Sequence, residues 1–248
     1  MSASIVSSSM ASLSTDRRYI ILACAVIEKE ISPLRDDRVD MKFLDYGLHR
    51  TPENMRIALQ SEIDAISGTG GYHGIILGYG LCGNGTVGIT PRKIPLIIPR
   101  VHDCISLFLG STEAYRRESQ RCPGTYYLTP GWIERGETPI SKYESYVRSY
   151  GRERAEWVIH EELKNYTRIA FIRTGACPSM EQYRETARKN AEFLGVVYEE
   201  LEGSPTLFRA LIRGPWDEDF IILRDAEPVK QERFLTETVN SIKAVNSR

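Results

Sequence analysis

The sequence predicts an α/β protein of 248 residues built from two similar β-α-β-α-β halves. Short β-branched apolar runs alternate with segments of helical periodicity, which favours parallel strands joined by right-handed crossovers. The order of elements recurs, and the spacing from Cys24 to Thr51 equals the spacing from Cys177 to Ser204. We therefore expect two Rossmann-like halves with mostly parallel sheet, joined by a helical connector. The pattern leaves open whether the halves share one sheet or form two facing lobes.

Residues 19–122 are expected to form the first half, after a serine-rich disordered leader at residues 1–18. Thr51 and Pro52 mark a helix start, because threonine caps helices and proline suits the first helical position. The predicted elements are strands at 19–23, 39–44, 75–77 and 95–98, helices at 25–31, 52–66 and 112–121, and an apolar segment at 105–109.

Residues 123–167 are expected to connect the halves, with strand composition at 125–129 and a long helical stretch at 141–166. Residues 168–226 repeat the first pattern, and residues 227–248 form a C-terminal helix or tail. The elements of this second half are strands at 169–172, 196–201 and 220–223, a helix at 178–194, and another helix that opens near residue 204.

Composition excludes several kinds of partner. Lys and Arg total 32 against 33 acidic residues, and this near-neutral balance gives no reason to expect nucleic acid or an anionic membrane. No apolar run approaches the ~18 residues of a membrane span. We expect a cytoplasmic protein with a small-molecule substrate, and its five cysteines predict free thiols or metal ligands rather than disulfides.

The candidate metal ligands follow predicted strands. In parallel α/β sheets ligands bind at the carboxyl ends of the strands, and Cys24, Cys82, His102, Cys104 and Cys177 all fall at such ends. Converging thiols and imidazoles suit Zn or an iron–sulfur (Fe-S) cluster, and the predicted ligands are Cys24, Cys82, Cys104 and His102. The alternatives are small apolar side chains packed at strand ends, or a metal-free cysteine nucleophile activated by His102.

A glycine-rich loop at residues 78–85 follows one of these strands. Its backbone N–H groups could face an anion, so Gly83, Asn84 and Gly85 are predicted to bind substrate. No helix follows directly, which argues against a nucleotide-binding motif. The alternative is that the glycines let the backbone approach a neighbouring strand closely.

Charged and aromatic side chains near this edge are candidates for catalysis and binding. Arg100 suits recognition of a carboxylate or phosphate, and Asp103 could orient His102, so all three are predicted to be catalytic. His49 and Trp132 are predicted to contact substrate. Surface salt bridges, a helix-capping histidine and core packing are the corresponding structural alternatives.

Several blocks of the sequence resemble the signature of a family called domain of unknown function 1638. They are GYGLCGNG at 78–85, PRVHDCI at 99–105, LGS at 109–111 and PGTYYLTPGW at 123–132. The resemblance covers nearly all of the chain beyond Arg18. It implies proteins of methanogens and other anaerobes, beside corrinoid-dependent methyltransferase systems for methylated amines. Cys24, Cys82, His102 and Cys104 are the positions that match the family's pattern.

The leading hypothesis is a metal-binding enzyme that acts on a small carboxylate- or amine-bearing molecule. The resemblance alone adds a setting in anaerobic one-carbon or methyl-transfer metabolism. The second hypothesis is a non-catalytic accessory protein that binds a ligand, or a corrinoid protein or methyltransferase partner, between its halves. The third is the metal-free cysteine-nucleophile enzyme.

Overall fold

The computed structural model describes residues 17–175, 180–224 and 226–235. The described strands are β1 (Tyr19–Cys24), β2 (Val39–Leu44), β3 (Ile75–Gly78), β4 (Leu96–Pro99), β5 (Thr125–Leu128), β6 (Arg168–Arg173), β7 (Val197–Glu202) and β8 (Phe220–Leu223). They form two sheets that are parallel except at one edge. The predicted α/β class with mostly parallel sheet is confirmed.

Helices connect these strands. The described α-helices are α1 (Glu28–Ile31), α2 (Pro52–Thr69), α3 (Cys104–Leu109), α4 (Thr112–Arg121), α5 (Pro130–Arg135), α6 (Pro139–Tyr150), α7 (Arg152–Leu163), α8 (Met180–Leu194) and α9 (Thr206–Arg213). Short 3-10 turns occur at Ala25–Ile27, Ser32–Leu34, Tyr46–Arg50 and Gln231–Phe234. Within the described part of the chain, every helix is too short or too polar to cross a membrane.

The first sheet has the strand order β2-β1-β3-β4-β8. Its strands β1, β3 and β4 are buried along their whole length, as expected for β-branched strands covered on both faces. Helix α2 buries Met55, Leu59 and Ile63 against this sheet, and these side chains belong to its continuous core. Three parallel neighbours therefore end at one edge, where β1, β3 and β4 pass into loops.

The second sheet has the order β5-β6-β7, and all its pairs are parallel. Its central strand β6 is buried and packs against α8, which contributes Tyr183, Ala187 and Ala191 to a separate apolar cluster. The sequence pattern placed β5 in the connector, outside both halves. In the structure β5 is an integral strand of this sheet.

The last predicted strand of the second half lies in the other sheet. β8 pairs antiparallel with β4, with Leu96 opposite Leu223 and Pro99 opposite Phe220. The reason lies in α9, because its apolar residues Leu207 and Leu211 are buried in the core of the first sheet. The chain leaving α9 is thus already beside that sheet and completes its free edge.

Two local predictions also change. The long helix expected at 141–166 is a pair of helices, α6 and α7, because Gly151 takes a φ of 80° that ends the first helix and begins the second. The apolar segment at 105–109 is part of helix α3. Residues 1–16 of the leader predicted at 1–18, residues 236–248 of the tail predicted at 227–248, and Cys177 lie outside the described residues.

Candidate functional site

Three cysteines meet at the carboxyl edge of the first sheet. Cys24 is the last residue of β1, Cys82 lies in the loop after β3, and Cys104 begins α3 after β4. Since β1, β3 and β4 are parallel neighbours, their ends deliver the three thiols to one edge. Cys24 is buried and the other two are partly exposed, and all are free thiols.

Backbone contacts hold the loop after β3 against the segment after β4. The N–H of Leu81 donates to the carbonyl of Val101 at 2.9 Å, and the N–H of Cys82 donates to the carbonyl of His102 at 2.8 Å. A side chain at Gly80 would meet the Val101 oxygen at 2.5 Å, so the approach requires glycine. This supports the interpretation of the glycines as a device for close backbone approach.

Cys82 itself has an unfavourable backbone conformation. Its φ of 46° lies in the left-handed region that non-glycine residues rarely adopt, and Asn84 follows with a φ of 71°. Such strain persists where the surrounding structure imposes it, and it is common at functional sites. The loop therefore places the Cys82 thiol at an energetic cost.

Burial and neighbouring charges raise the pKa of all three thiols. Burial raises the pKa of Cys24 to about 11 and that of Cys82 to about 12. Burial, the charge of Asp103 and the other two thiols raise the pKa of Cys104 well above its usual range. The protein environment thus disfavours free thiolates here, and negative charge on sulfur would need a compensating cation.

Two buried donors near these thiols lack an acceptor. Tyr79 is only 4% exposed and its hydroxyl has no hydrogen-bond partner, while the thiols of Cys24 and Cys82 contribute to a strongly raised pKa of Tyr79. The indole Nε1 of Trp132 is also buried and makes no well-formed hydrogen bond, although its weak interaction with the Cys104 thiol lowers the pKa of that thiol. Buried donors are rarely left unsatisfied.

The thiols are not grouped as ligands of one ion. Among the residues that the structure describes, no three His, Cys, Asp or Glu side chains are arranged to hold a metal ion. The predicted ligand His102 has its ring exposed and stacked on Tyr115, with 5.8 Å between centroids. A single ion would require the thiols to draw closer together.

Asp103 links the thiol edge to a neighbouring cleft. Its Oδ1 accepts from the N–H of Ile105 at 2.9 Å and caps α3, while its Oδ2 contacts His102 Nδ1 at 3.1 Å and accepts from the Tyr115 hydroxyl at 3.2 Å. The contact with Asp103 raises the pKa of His102. The arrangement can hold or transfer a proton at the mouth of the cleft.

The cleft has a volume of about 780 Å³, which suits a small molecule or cofactor. It lies between the turn after β2, helices α3 and α4, strand β5 and the α6–α7 pair. Its aromatic lining consists of Tyr46, Tyr115, Tyr126, Tyr127, Trp132, Tyr146 and Tyr166. Two of its cations are already paired, Arg50 with Glu137 and Lys142 with Glu162.

His49 lies in this cleft. Its Nδ1 contacts the carbonyl of Tyr46, which fixes Nδ1 as the protonated nitrogen and leaves Nε2 with a lone pair. Trp132 meets the ring edge-on, with 5.3 Å between centroids. The ring is open to the cleft, but protein atoms surround it on its other sides. This burial lowers the pKa of His49. The neutral ring can accept a proton or a hydrogen bond.

The other predicted residues have different surroundings. The guanidinium of Arg100 donates to the carbonyls of Glu218 at 2.9 Å, Arg233 at 2.8 Å and Phe220 at 3.5 Å. It joins the residue after β4 to β8 and to the segments on either side of that strand, and we leave it out of the site. Asn84 and its neighbour at 83 are exposed, while the glycine at 85 is buried.

Tyr79 and Tyr115 escaped the sequence analysis. Tyr79 directly follows β3, the position from which a side chain reaches the carboxyl edge, and this placement was a usable signal. Tyr115 lies on a polar helix, where no pattern distinguishes a cleft residue from a solvated one. Its contact with Asp103 exists only because α4 folds back against α3.

Comparison with known proteins gives a family but no activity. No curated protein and no solved structure matches the chain. A protein family matches residues 43–212, which is more than half of the chain and includes Cys82 and Cys104. The resemblance inferred from the sequence blocks is confirmed over residues 43–212, a range that leaves Cys24 outside the match. The anaerobic setting and the methyltransferase partner stay predictions. The chain belongs to the family described as "Protein of unknown function (DUF1638)".

Proposed function

We propose that the protein binds a thiol-held metal centre, zinc or iron–sulfur, and is an enzyme acting on a small molecule in the adjacent cleft. One observation carries the proposal. Three cysteines, Cys24, Cys82 and Cys104, follow neighbouring strands that end at one edge of the sheet, where two buried donors, Tyr79 and Trp132, have no well-formed hydrogen bond. Metal-bound thiolates would accept hydrogen bonds from both donors.

A metal centre is consistent with the charge properties of the site. Burial raises the pKa of each thiol, so thiolates are unstable in this environment unless a cation accompanies them. A metal ion or cluster supplies that positive charge and deprotonates the thiols it binds. The same property disfavours the metal-free nucleophile, because a reactive cysteine needs a lowered pKa.

The cleft would supply substrate binding. A bound centre offers Lewis acidity if it is zinc and electron transfer if it is iron–sulfur. Asp103 and Tyr115 form a hydrogen-bonded pair at the cleft, and they can orient a polar group or hold a proton there. His49 offers a neutral Nε2 on another wall, and Trp132 lies between this wall and Cys104. Methyl transfer in one-carbon metabolism, with a corrinoid protein or methyltransferase as partner, is a narrower form of this proposal.

Metal analysis tests the proposal directly. Protein purified without oxygen should contain zinc or iron in proportion to the chain, and Cys82→Ser and Cys104→Ser should lose it. Cys122→Ser is the matched control, because Cys122 ends α4 away from the edge, with its thiol 3.8 Å from the Thr167 hydroxyl. Metal-free protein, after supply of both metals, would refute the metal centre. So would equal metal content in all three variants.

A further inference from the structure

We propose that the cleft binds an uncharged, planar heteroaromatic molecule that carries N–H groups on the edge of its ring. This inference rests on the proposed function, because it takes the cleft as the substrate site, and it names the chemical class of that substrate. It follows from the aromatic wall of the cleft, from the pairing of its charges and from the lone pair of His49. It differs from the carboxylate- or amine-bearing molecule of the leading sequence hypothesis.

Aromatic side chains form much of the wall of the cleft. Six tyrosines and one tryptophan line it, and all seven are partly exposed. They come from segments far apart in sequence, the first being Tyr46 after β2 and the last Tyr166 after α7. Aromatic surface gathered in a concavity of about 780 Å³ is typical of a ligand site. Such rings bind flat π-systems by stacking.

Both cations of the lining are already engaged with rings and carboxylates. The guanidinium of Arg50 lies over the ring of Tyr46, 5.3 Å from its centroid, and the ammonium of Lys142 lies over the ring of Tyr146 at 6.0 Å. Each cation also pairs with a glutamate of the lining. An anionic ligand would have to displace these glutamates, and a cationic ligand would have to compete with these cations for rings and carboxylates.

The remaining carboxylate of the lining, that of Asp103, is occupied as well. It accepts hydrogen bonds from the N–H of Ile105 and the hydroxyl of Tyr115. Its Oδ2 also contacts Nδ1 of His102 at 3.1 Å. Every charged side chain of the lining therefore has a partner within the protein. A charged ligand would lose its hydration without gaining a free counter-ion, whereas an uncharged ligand leaves these pairs intact.

His49 indicates what the edge of the ligand carries. Its Nδ1 is engaged by the carbonyl of Tyr46, so the lone pair of Nε2 needs a donor, which an N–H on the ligand supplies. The hydroxyls of Ser119 and Ser145 in the lining can donate or accept, so they suit ring nitrogens and exocyclic oxygens. Heteroaromatic rings present such mixed edges around an apolar face, as nucleobases do.

The experiment is a binding titration of the full chain with riboflavin, adenosine and 6-hydroxymethylpterin, three uncharged heteroaromatic probes. Quenching of flavin fluorescence reports riboflavin, and calorimetry reports the other two. We expect at least one probe to bind with a micromolar Kd that added salt changes little, because no ion pair forms. myo-Inositol, an uncharged ring without an aromatic face, should not bind.

Variants of the wall test the stacking. At least one of Trp132→Ala and Tyr166→Ala should weaken binding by about 5- to 150-fold, the range for the loss of one stacked side chain. Tyr166→Phe keeps the ring and should keep the affinity. Trp157→Ala is the matched control, since Trp157 is 65% exposed on α7 and lies outside the lining. Unchanged affinity in both folded alanine variants, as judged by circular dichroism, would overturn the inference.

A second measurement needs no variant and tests the charge of the ligand. FMN and AMP carry a phosphate on riboflavin and adenosine, and each should bind no more tightly than its uncharged counterpart. A gain of about tenfold or more from the phosphate would overturn the uncharged class, because it would reveal a free cation in the cleft.

The outcomes separate this inference from the metal centre. Failure of all three probes to bind, or equally tight binding of myo-inositol, would overturn the inference alone if the protein holds metal. Ring binding by metal-free protein would remove the metal centre and leave the inference standing. Cys82→Ser should bind the ring as native protein does, because Cys82 lies outside the cleft lining.

Discussion

Glu30 should make the stability of this protein fall as the pH rises from 4.5 to about 7. The side chain lies at the end of α1 and is only 4% exposed. The hydroxyl of Thr174 donates to its Oε1 at 2.9 Å, and its Oε2 has no partner. This contact joins the first sheet's α1 to the end of β6. Burial dominates the environment and raises the pKa of Glu30 from 4.5 to about 7.

The size and sign of the change in the free energy of unfolding follow from the difference between these two pKa values. Each pKa unit corresponds to about 1.4 kcal/mol, so the shift is worth about 3 kcal/mol. Below pH 4.5 the carboxyl is protonated in both folded and unfolded chains. Between pH 4.5 and 7 only the unfolded chain releases the proton, so the free energy of unfolding falls. Above pH 7 the free energy of unfolding falls no further on account of Glu30.

Glu30→Gln tests this reasoning, because the amide stays neutral and its oxygen can still accept from Thr174. Urea unfolding followed by circular dichroism should give similar stabilities for variant and native protein near pH 4.5. At pH 8 the variant should be more stable by about 3 kcal/mol. Glu28→Gln is the control, since Glu28 is partly exposed and pairs with Arg135 at 3.1 Å; it should change stability by less than about 1 kcal/mol. A difference between native and Glu30→Gln protein that stays constant with pH would refute the argument.

Two further predictions concern stability. Arg168→Ala should cost about 3–5 kcal/mol, because the buried guanidinium pairs with Glu118 and Glu199, which would lose their partner. The exposed pair of Arg116 provides the comparison, and Arg116→Ala should cost under about 1 kcal/mol in the same urea titration. Asp103→Ala should cost about 1 kcal/mol through loss of the α3 cap, whereas Asp103→Asn should retain it; equal losses would contradict the capping role.

The thiol edge was predictable because its causes are local. Short β-branched runs predict buried strands, and a cysteine directly after such a run must lie near the strand's end. Parallel winding then brings the ends of neighbouring strands together, whatever the loops do. On these grounds Cys24, Cys82 and Cys104 are expected at one edge of the sheet, and β1, β3 and β4, the strands that they end or follow, are parallel neighbours.

The start of α2 was predictable for the same reason. Thr51 occupies the N-cap position, although its side chain makes no capping hydrogen bond, and Pro52 is the first helical residue. Such rules need no knowledge of distant residues. Local rules also located the glycine loop. Its close approach to Val101 occurs because the loops after two neighbouring strands lie side by side.

The features that escaped prediction depend on partners distant in sequence. β5 and β8 are short apolar strands that could pair in either sheet, and the burial of α9 against the first core decided where β8 went. Arg100 has the charge of a ligand-binding residue, but its guanidinium donates to three carbonyls at residues 218, 220 and 233. Composition cannot distinguish an arginine that binds a ligand from one that donates hydrogen bonds to backbone carbonyls.

Sequence patterns thus established the α/β class, the strand ends and the thiols that gather there, because each follows from periodicity or from neighbours along the chain. Only the tertiary structure decided the membership of the two sheets, the cleft and the unpartnered donors Tyr79 and Trp132. These arise where segments far apart in sequence pack together. Their positions depend on the total burial of apolar surface, which no single segment specifies.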